Sequence, residues 1–299
     1  MKYTGKAFAP SFIPLFFSFE RSKLIEDCGF TGAGISLIRG VSCIARVEPS
    51  NCVKLNMVYG KRQLNLPWIE EAVRRMLENS EIKGVRGLLD FNFEVPVSLD
   101  LSIATASIVS ALAAIHSALK LDLNPLGVGD IAHRIEIEYE IGCGTTLPQL
   151  IGGVTLLEKA GSPSRAKYVK LTSPEELKVV VGGPASAQVV FKKYNWEALS
   201  LKWSDVSRLT SMCDFDEIVS LARNFTAEMM GVFRGSSEVL SELGKLRPVA
   251  YGFSFDGKTV YVLVHKEDVV KFVDLLLDFF PCEGIVVSEV DHLGTRVYE

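Results

Sequence analysis

None of the six cysteines, at positions 28, 43, 52, 143, 213 and 282, stands in a C-x-x-C pair, and none of the four histidines lies at ligand spacing from one of them. A zinc ribbon and a dithiol redox motif are therefore excluded, and scattered thiols fit a reducing, cytoplasmic compartment. Positive charge is short: 32 Lys and Arg stand against 36 Asp and Glu, a formal net charge of -4. Nucleic-acid binders need clustered Lys and Arg to displace phosphate counterions, so no nucleic-acid partner is expected. Long apolar runs are missing too. The most membrane-like stretch, Leu101 to Leu119, carries Ser102, Thr105, Ser107, Ser110, His116 and Ser117 between Asp100 and Lys120, and reads as a buried helix with no membrane partner. Near the start, Lys2 and Lys6 precede the apolar run Ala7 to Phe19. Pro10 and Pro14 interrupt that run and no small-residue cleavage site precedes Glu20, so it is read as folded structure and not as a signal peptide. Internal repeats and low-complexity segments are also lacking.

What the chain does have is apolar content: 48% of its 299 residues are hydrophobic, enough to bury the core of one large or two medium domains. Short β-type runs at Phe16 to Phe19, Ile35 to Ile38, Cys43 to Val47 and Val53 to Val58 suggest an antiparallel sheet. Helical spacing of Trp68, Ile69, Ala72, Val73, Met76 and Leu77 predicts a helix over Leu66 to Asn79, with Pro67 in its first turn. Lys83 to Val95 reads as strand and loop. An Ala-rich helix follows to about Lys120, capped by Asp100 or Ser102, and Asn124 and Pro125 end that region. A further helix is expected over Asp130 to Tyr139. The turn cluster Gly161-Ser162-Pro163-Ser164 marks the expected boundary between domains 1–163 and 164–299.

Beyond it, strands are expected at Lys178 to Val181 and Gln188 to Phe191, and helices at Asp214 to Met230 and Ser236 to Leu243. Asp256-Gly257 is a hairpin turn between Ala250 to Phe255 and Thr259 to Val264. Helix Lys266 to Phe280 and strand Gly284 to Val290 complete an α+β unit of the ferredoxin-like kind.

Five strings, in order, resemble the archaeal pantoate kinase family of GHMP kinases. AFAPSFIPLFF is similar to that family's AFxPGHITGFF, retaining Ala7, Phe8, Pro10, Ile13, Phe16 and Phe17. GFTGAGISLIRGV resembles GSxGAGI and its following GV through Gly29, Gly32, Ala33, Gly34, Ile35, Gly40 and Val41. IAHRIEIEYEIGCGTTLPQLIGGV is similar to IAHxAEVxxxxGLGDVxAQxxGG at Ala132, His133, Glu136, Gly142, Gly144, Gln149, Gly152 and Gly153. Gly161 and Pro163 fit a PGxP turn, and SFDGKTVYVL resembles MxGNTVFAL. The resemblance implies a GHMP-type α+β fold with a ribosomal-protein-S5-like first domain and a ferredoxin-like second. It further implies ATP-dependent phosphorylation of pantoate to 4-phosphopantoate on the archaeal route to coenzyme A, with Mg²⁺ as metal. Homodimerisation, or pairing with an active kinase, is the corresponding partner expectation.

Carried over residue by residue, the resemblance places the nucleotide at Pro96, Ser98, Asp100, Ser102 and Thr105, and the substrate, pantoate or a related hydroxy acid, at Gly29, Thr31, Gly32 and Gly34. Glu136 and Ser102 would hold the metal, and His133, Glu136 and Thr145 would act in catalysis. The departures cluster. A phosphate loop needs glycine so that backbone N–H groups approach the anion at a helix start. The family pattern PxGxGFGxSGA here reads Pro96-Val97-Ser98-Leu99-Asp100-Leu101-Ser102-Ile103-Ala104-Thr105-Ala106, with every loop glycine gone. A carboxylate at Asp100 beside phosphate costs about 1 to 4 kcal/mol at about 4 Å, which a metal ion would offset.

The family's catalytic Asp aligns with Thr145, its Arg with Leu157, and its GHITG with Ser11-Phe12-Ile13-Pro14-Leu15. Threonine orients a substrate but is no base near neutral pH. Two readings therefore stand side by side. In one, an altered Mg-nucleotide site serves a kinase; in the other, Asp100 or Ser102 caps a core helix, His133 and Glu136 form a buried hydrogen-bonded pair, and the chain is a catalytically inactive paralogue acting as a ligand-binding or regulatory partner.

Overall fold

The computed structural model describes residues 2–78, 80–186, 189, 191, 193–194, 203, 214–232 and 234–298. Its first sheet is built on two long strands, β1 (Tyr3–Glu20) and β2 (Gly29–Ser50), paired antiparallel along almost their whole length. The short runs expected at Phe16 to Phe19, Ile35 to Ile38 and Cys43 to Val47 are thus pieces of these two strands. Proline lacks the N–H that a ladder needs. Pro10 and Pro14 lie at the two places where the register shifts, between Pro10 and Ser11 and between Pro14 and Phe16, so the strand bends there without ending.

The sheet runs in the order β12-β1-β2-β5-β3-β4, with β3 (Lys54–Tyr59), β4 (Arg62–Leu64), β5 (Gly84–Phe93) and β12 (Arg296–Tyr298), while β6 (Val154–Lys159) pairs with β2 and with β7 (Lys167–Leu171). The expected break at residue 163 falls in the turn between β6 and β7, and the first sheet takes β7 and β12 from beyond it.

Helix α1 (Pro67–Leu77) follows its predicted apolar spacing, and α2 (Ile103–Leu119) is buried along most of its length. It lies so close on β1 that a Cβ at Gly5 would come within 2.2 Å of the Ala114 carbonyl oxygen. The next helix begins earlier than expected. Asn124 accepts the Leu126 N–H at 3.0 Å and Pro125 takes the first helical position, so the residues expected to end a region instead start α3 (Pro125–Glu138). The short α4 (Thr146–Ile151) follows. Among the described residues no helix is long and apolar enough to cross a membrane.

The second sheet has the order β11-β8-β10-β9, from β8 (Leu177–Gly182), β9 (Ala250–Phe253), β10 (Val260–His265) and β11 (Ile285–Glu289), all antiparallel. Its first and third strands are central, as in a ferredoxin-like unit, and α5 (Phe215–Met229), α6 (Ser237–Lys245) and α7 (Val269–Leu277) accompany it. Of the strand expected over Gln188 to Phe191, Val189 and Phe191 are in no strand, and Gln188 and Val190 lie outside the described residues.

The two sheets meet at the far half of β1. Phe17 packs against Phe19, Phe225, Phe253 and Phe255, and the buried Tyr261 hydroxyl donates to the Leu15 carbonyl at 2.9 Å. β1 is therefore buried on both faces from Ala7 to Phe19, which is why its sequence lacks the alternation of a half-exposed strand.

Candidate functional site

The segment before α2 coils on itself: Leu99 N–H donates to the Pro96 carbonyl and Leu101 N–H to the Leu99 carbonyl, while both leucine side chains are buried. Asp100, 2% exposed, is drawn into the body of the protein. Its carboxylate accepts the Tyr194 hydroxyl on one oxygen and the Asp256 N–H at 2.7 Å on the other. Its backbone N–H donates to Thr259 Oγ1 at 3.1 Å, and its carbonyl accepts the Ser254 hydroxyl at 2.5 Å. Ser254, Asp256 and Thr259, from the hairpin of the second sheet, thus converge on this one residue before α2. Asp100 is no helix cap, and Ser102 makes no capping bond either. Ser102 is the residue before α2, in a left-handed conformation with φ 55°, and its side chain caps nothing.

The cavity beside this loop, bordered by Val97, Leu99, Asp100, Ser102 and Tyr194, measures about 20 Å³, room for about one water. A triphosphate does not fit this arrangement: the backbone that would cradle it carries side chains, and the carboxylate among them is already met by donors. Of the other expected nucleotide residues, Ser98 Oγ accepts the Ser186 N–H at 3.0 Å, and Thr105 Oγ1 is buried with no partner among the described residues. Pro96 borders a separate cleft of about 470 Å³ together with Tyr59, Phe93 and Val97.

A second polar centre lies where α3 meets α4. Glu136 is fully buried. Its Oε1 accepts the Gly144 N–H at 2.8 Å, the Thr145 N–H at 2.9 Å and the Thr145 hydroxyl at 3.1 Å, and its Oε2 accepts the Thr146 hydroxyl at 2.8 Å. Four donors at a helix start satisfy this carboxylate without water. Gly142 has no side chain because a Cβ there would stand 2.2 Å from Glu136 Oε1. Thr145 and Thr146 are occupied in this contact, and a metal at Glu136 would have to displace these donors. Among the described residues, no group of three or more His, Cys, Asp and Glu is placed to hold a metal ion.

His133, one turn earlier on α3 and equally buried, does not bond Glu136. Its Nε2 lies 3.4 Å from the Ile25 carbonyl and its Nδ1 has no partner among the described residues. Burial pushes His133 below its ordinary range, against the opposing pull of the Glu136 charge, and so keeps the ring neutral. The neighbouring Cys143 thiol is pushed well above its ordinary value by burial and by the charges of Asp100 and Glu136, which marks it as inert.

The glycines expected to hold substrate sit in the β1–β2 ladder. A Cβ at Gly32, φ +134°, would be 2.2 Å from the Phe16 carbonyl oxygen, and one at Gly34 would be 2.1 Å from the Phe12 ring. Close strand approach accounts for both. Gly29 faces Gly144, and Thr31 Oγ1 is buried with no partner among the described residues. Two residues outside the expected site tie it together. Tyr194 is the first; the second, Gln149, donates from Nε2 to the Pro10 carbonyl at 2.9 Å and the Ser102 carbonyl at 3.0 Å. Gln149 was visible in the matched string, whereas nothing around Tyr194 signalled its role.

No family model matches the chain. It is 28% identical over 289 residues to the pantoate kinase of Thermococcus kodakarensis, covering 91% of this chain and 92% of that protein. It is also 24% identical to the homoserine kinase of Nautilia profundicola, over 70% of this chain and 73% of that one. Among solved structures, a phosphotransferase related to the coenzyme A biosynthesis pathway superposes with a TM-score of 0.78 at 22% identity, over 99% of this chain and 98% of the other. Mevalonate diphosphate decarboxylase from Staphylococcus aureus shares the fold at a TM-score of 0.72 and 17% identity, over 100% of this chain and 99% of that one. With its long β1–β2 pair, its buried α2 and its ferredoxin-like second sheet, the chain has the fold of the GHMP kinases and is similar in sequence to pantoate kinases.

Proposed function

We propose that this chain is a pantoate kinase-like protein that has given up phosphoryl transfer and serves as a ligand-binding or regulatory partner built on the kinase fold. The observation that carries this reading is Asp100: at the position of a loop glycine it fills the phosphate cradle and is bonded to Tyr194 and Asp256. Transfer rests on positioning and on neutralising the charge of the phosphates. Here the loop contributes a buried carboxylate and about 20 Å³ of space, and the position of the family's catalytic Asp holds Thr145, whose hydroxyl is committed to Glu136.

A second reading, ATP-dependent phosphorylation of pantoate, is favoured by the cleft of about 470 Å³ bordered by Pro96 and Val97, which leaves room beside the loop, and by the 28% identity to a pantoate kinase. A thermal-shift titration with Mg-ATP, followed by an ADP-release assay with pantoate, separates the two. The first reading expects no saturable nucleotide shift and no pantoate-dependent ADP. Micromolar Mg-ATP binding with turnover would replace it by the second.

A further inference from the structure

Isolated helices shorter than about 12 to 15 residues are marginal in water, and α4 has six. The last carbonyls of a helix also need donors from outside it. Those of α4 find them far along the chain. The Pro148 carbonyl accepts the Ser36 hydroxyl at 2.9 Å, and the Ile151 carbonyl accepts Lys170 Nζ at 2.7 Å. The two carbonyls between them depend on Thr295. Its N–H donates to the Gln149 carbonyl at 3.0 Å and to the Leu150 carbonyl at 3.2 Å, and its hydroxyl donates to the Gln149 carbonyl at 2.9 Å.

Thr295 belongs to the tail 290–298, which leaves the second sheet after β11 and returns to the first sheet as β12. Asp291, 2% exposed, shapes the turn of this tail. Its Oδ1 accepts the Leu293 and Gly294 N–H groups at 3.0 and 2.8 Å, and its Oδ2 accepts Arg296 Nη1 at 2.7 Å. Its own N–H donates to the Ser36 carbonyl at 2.7 Å and its carbonyl accepts the Gly153 N–H at 2.6 Å, just past α4. The fit is close: a Cβ at Gly294 would stand 2.2 Å from the Leu150 carbonyl oxygen. Yet the tail lies outermost. β12 has three residues at the edge of its sheet, and Leu293 is 74% exposed.

On its inner side α4 touches both polar centres. Gln149 holds the Pro10 and Ser102 carbonyls, the second at the start of α2, while Thr145 and Thr146 at the first turn bond Glu136. We infer that the tail 290–298 is a releasable clasp: docked, it holds α4, the start of α2 and the donors of Glu136 in place, and released, it frees them together while both sheets stay folded. Edge segments with exposed side chains open below the free energy of global unfolding, and they open as contiguous units. The tail and α4 are one such unit, because α4 loses the donor to two of its last carbonyls when Thr295 leaves. A partner that captures the free tail acts on both polar centres without entering either.

Hydrogen exchange of the full chain, read amide by amide, tests this. Gly294→Ala drives a Cβ into the Leu150 carbonyl at a φ of +75° and so lifts the tail. It is expected to speed exchange about tenfold or more at the Thr295, Gly153, Gln149, Gly144 and Thr145 amides, with the β2–β5 and β8–β10 ladders unchanged. Gln149→Met, which cuts the tie to Ser102 alone, is expected to speed the Ala106 amide and leave Thr295 protected. Should Gly294→Ala not fold, Thr295→Val removes only the hydroxyl bond and is expected to give the same pattern at about threefold. A tail that merely adds stability would speed every amide alike. Uniform acceleration across both sheets, α4 amides at wild-type rates in the folded tail variants, or an unchanged Ala106 amide in Gln149→Met would each overturn the inference.

Discussion

Replacing Asp100 by alanine tests whether the loop before α2 is a structural joint. In the native protein the carboxylate accepts the Tyr194 hydroxyl and the Asp256 N–H, and Tyr194 and Asp100 are both buried. Asp100→Ala leaves two donors without an acceptor, each costing about 1 to 3 kcal/mol, for a loss of about 2 to 6 kcal/mol. The Asp100 backbone bonds to Thr259 and Ser254 remain and keep the loss at the lower part of that range. At roughly 2 to 4 °C per kcal/mol for chains somewhat shorter than this one, the melting temperature should fall by about 5 to 15 °C. Tyr194→Phe removes one donor together with its need, so the double variant should be less unstable than the sum of the singles by about 1 kcal/mol. Urea denaturation and thermal melts of the wild type, both single variants and the double variant together measure these quantities. An Asp100→Ala variant as stable as wild type, or one that gains micromolar Mg-ATP binding, would refute the reasoning, because the carboxylate would then be an ornament on an open phosphate site.

Glu136→Gln keeps one acceptor oxygen but turns an amide toward donors on the other side, and should cost about 1 to 3 kcal/mol; urea midpoints should drop equally with and without Mg²⁺, whereas a metal ligand would show a magnesium-dependent difference. His133 gives a pH signature. Its folded value is lowered by burial, so the unfolded chain binds the extra proton; stability is full above the unfolded value of about 6.5 and is lost as pH falls through the window between that value and the folded one. Urea midpoints between about pH 5 and 7.5 should therefore decline on the acid side, and His133→Gln should flatten that decline. Gly142→Ala drives a Cβ to 2.2 Å from Glu136 Oε1, and should cost more than about 3 kcal/mol or abolish soluble expression, a far larger effect than Gly60→Ala, where nothing lies within 4 Å and only the positive φ of 58° opposes the change.

Several elements could be read locally because their signals are local. The spacing of Trp68 to Leu77 produced α1, the Ala-rich run produced α2, and Asp256-Gly257 does turn the chain between β9 and β10, with the Asp256 carboxylate accepting the Lys258 and Thr259 N–H groups at 2.8 and 2.9 Å. Glu136, Gly144 and Thr145 lie within ten residues, so one short string carries them as a group. Other features had no local signal. The extent of β1 was hidden by two prolines and by burial on both faces, which erases alternation. The beginning of α3 was hidden because Asn-Pro serves equally to stop one segment and to cap the next.

At the candidate site the division is the same. Sequence alone determined that the loop glycines are gone and that an acid stands among their replacements, since that is a matter of residue identity. Whether that acid faces a nucleotide, caps a helix or is sealed in the body was decided by the tertiary structure, which brings a hydroxyl from residue 194 and an amide from residue 256 onto Asp100. A carboxylate's role follows from the donors around it, and here they arrive from segments roughly a hundred and more residues away, beyond the reach of spacing or propensity.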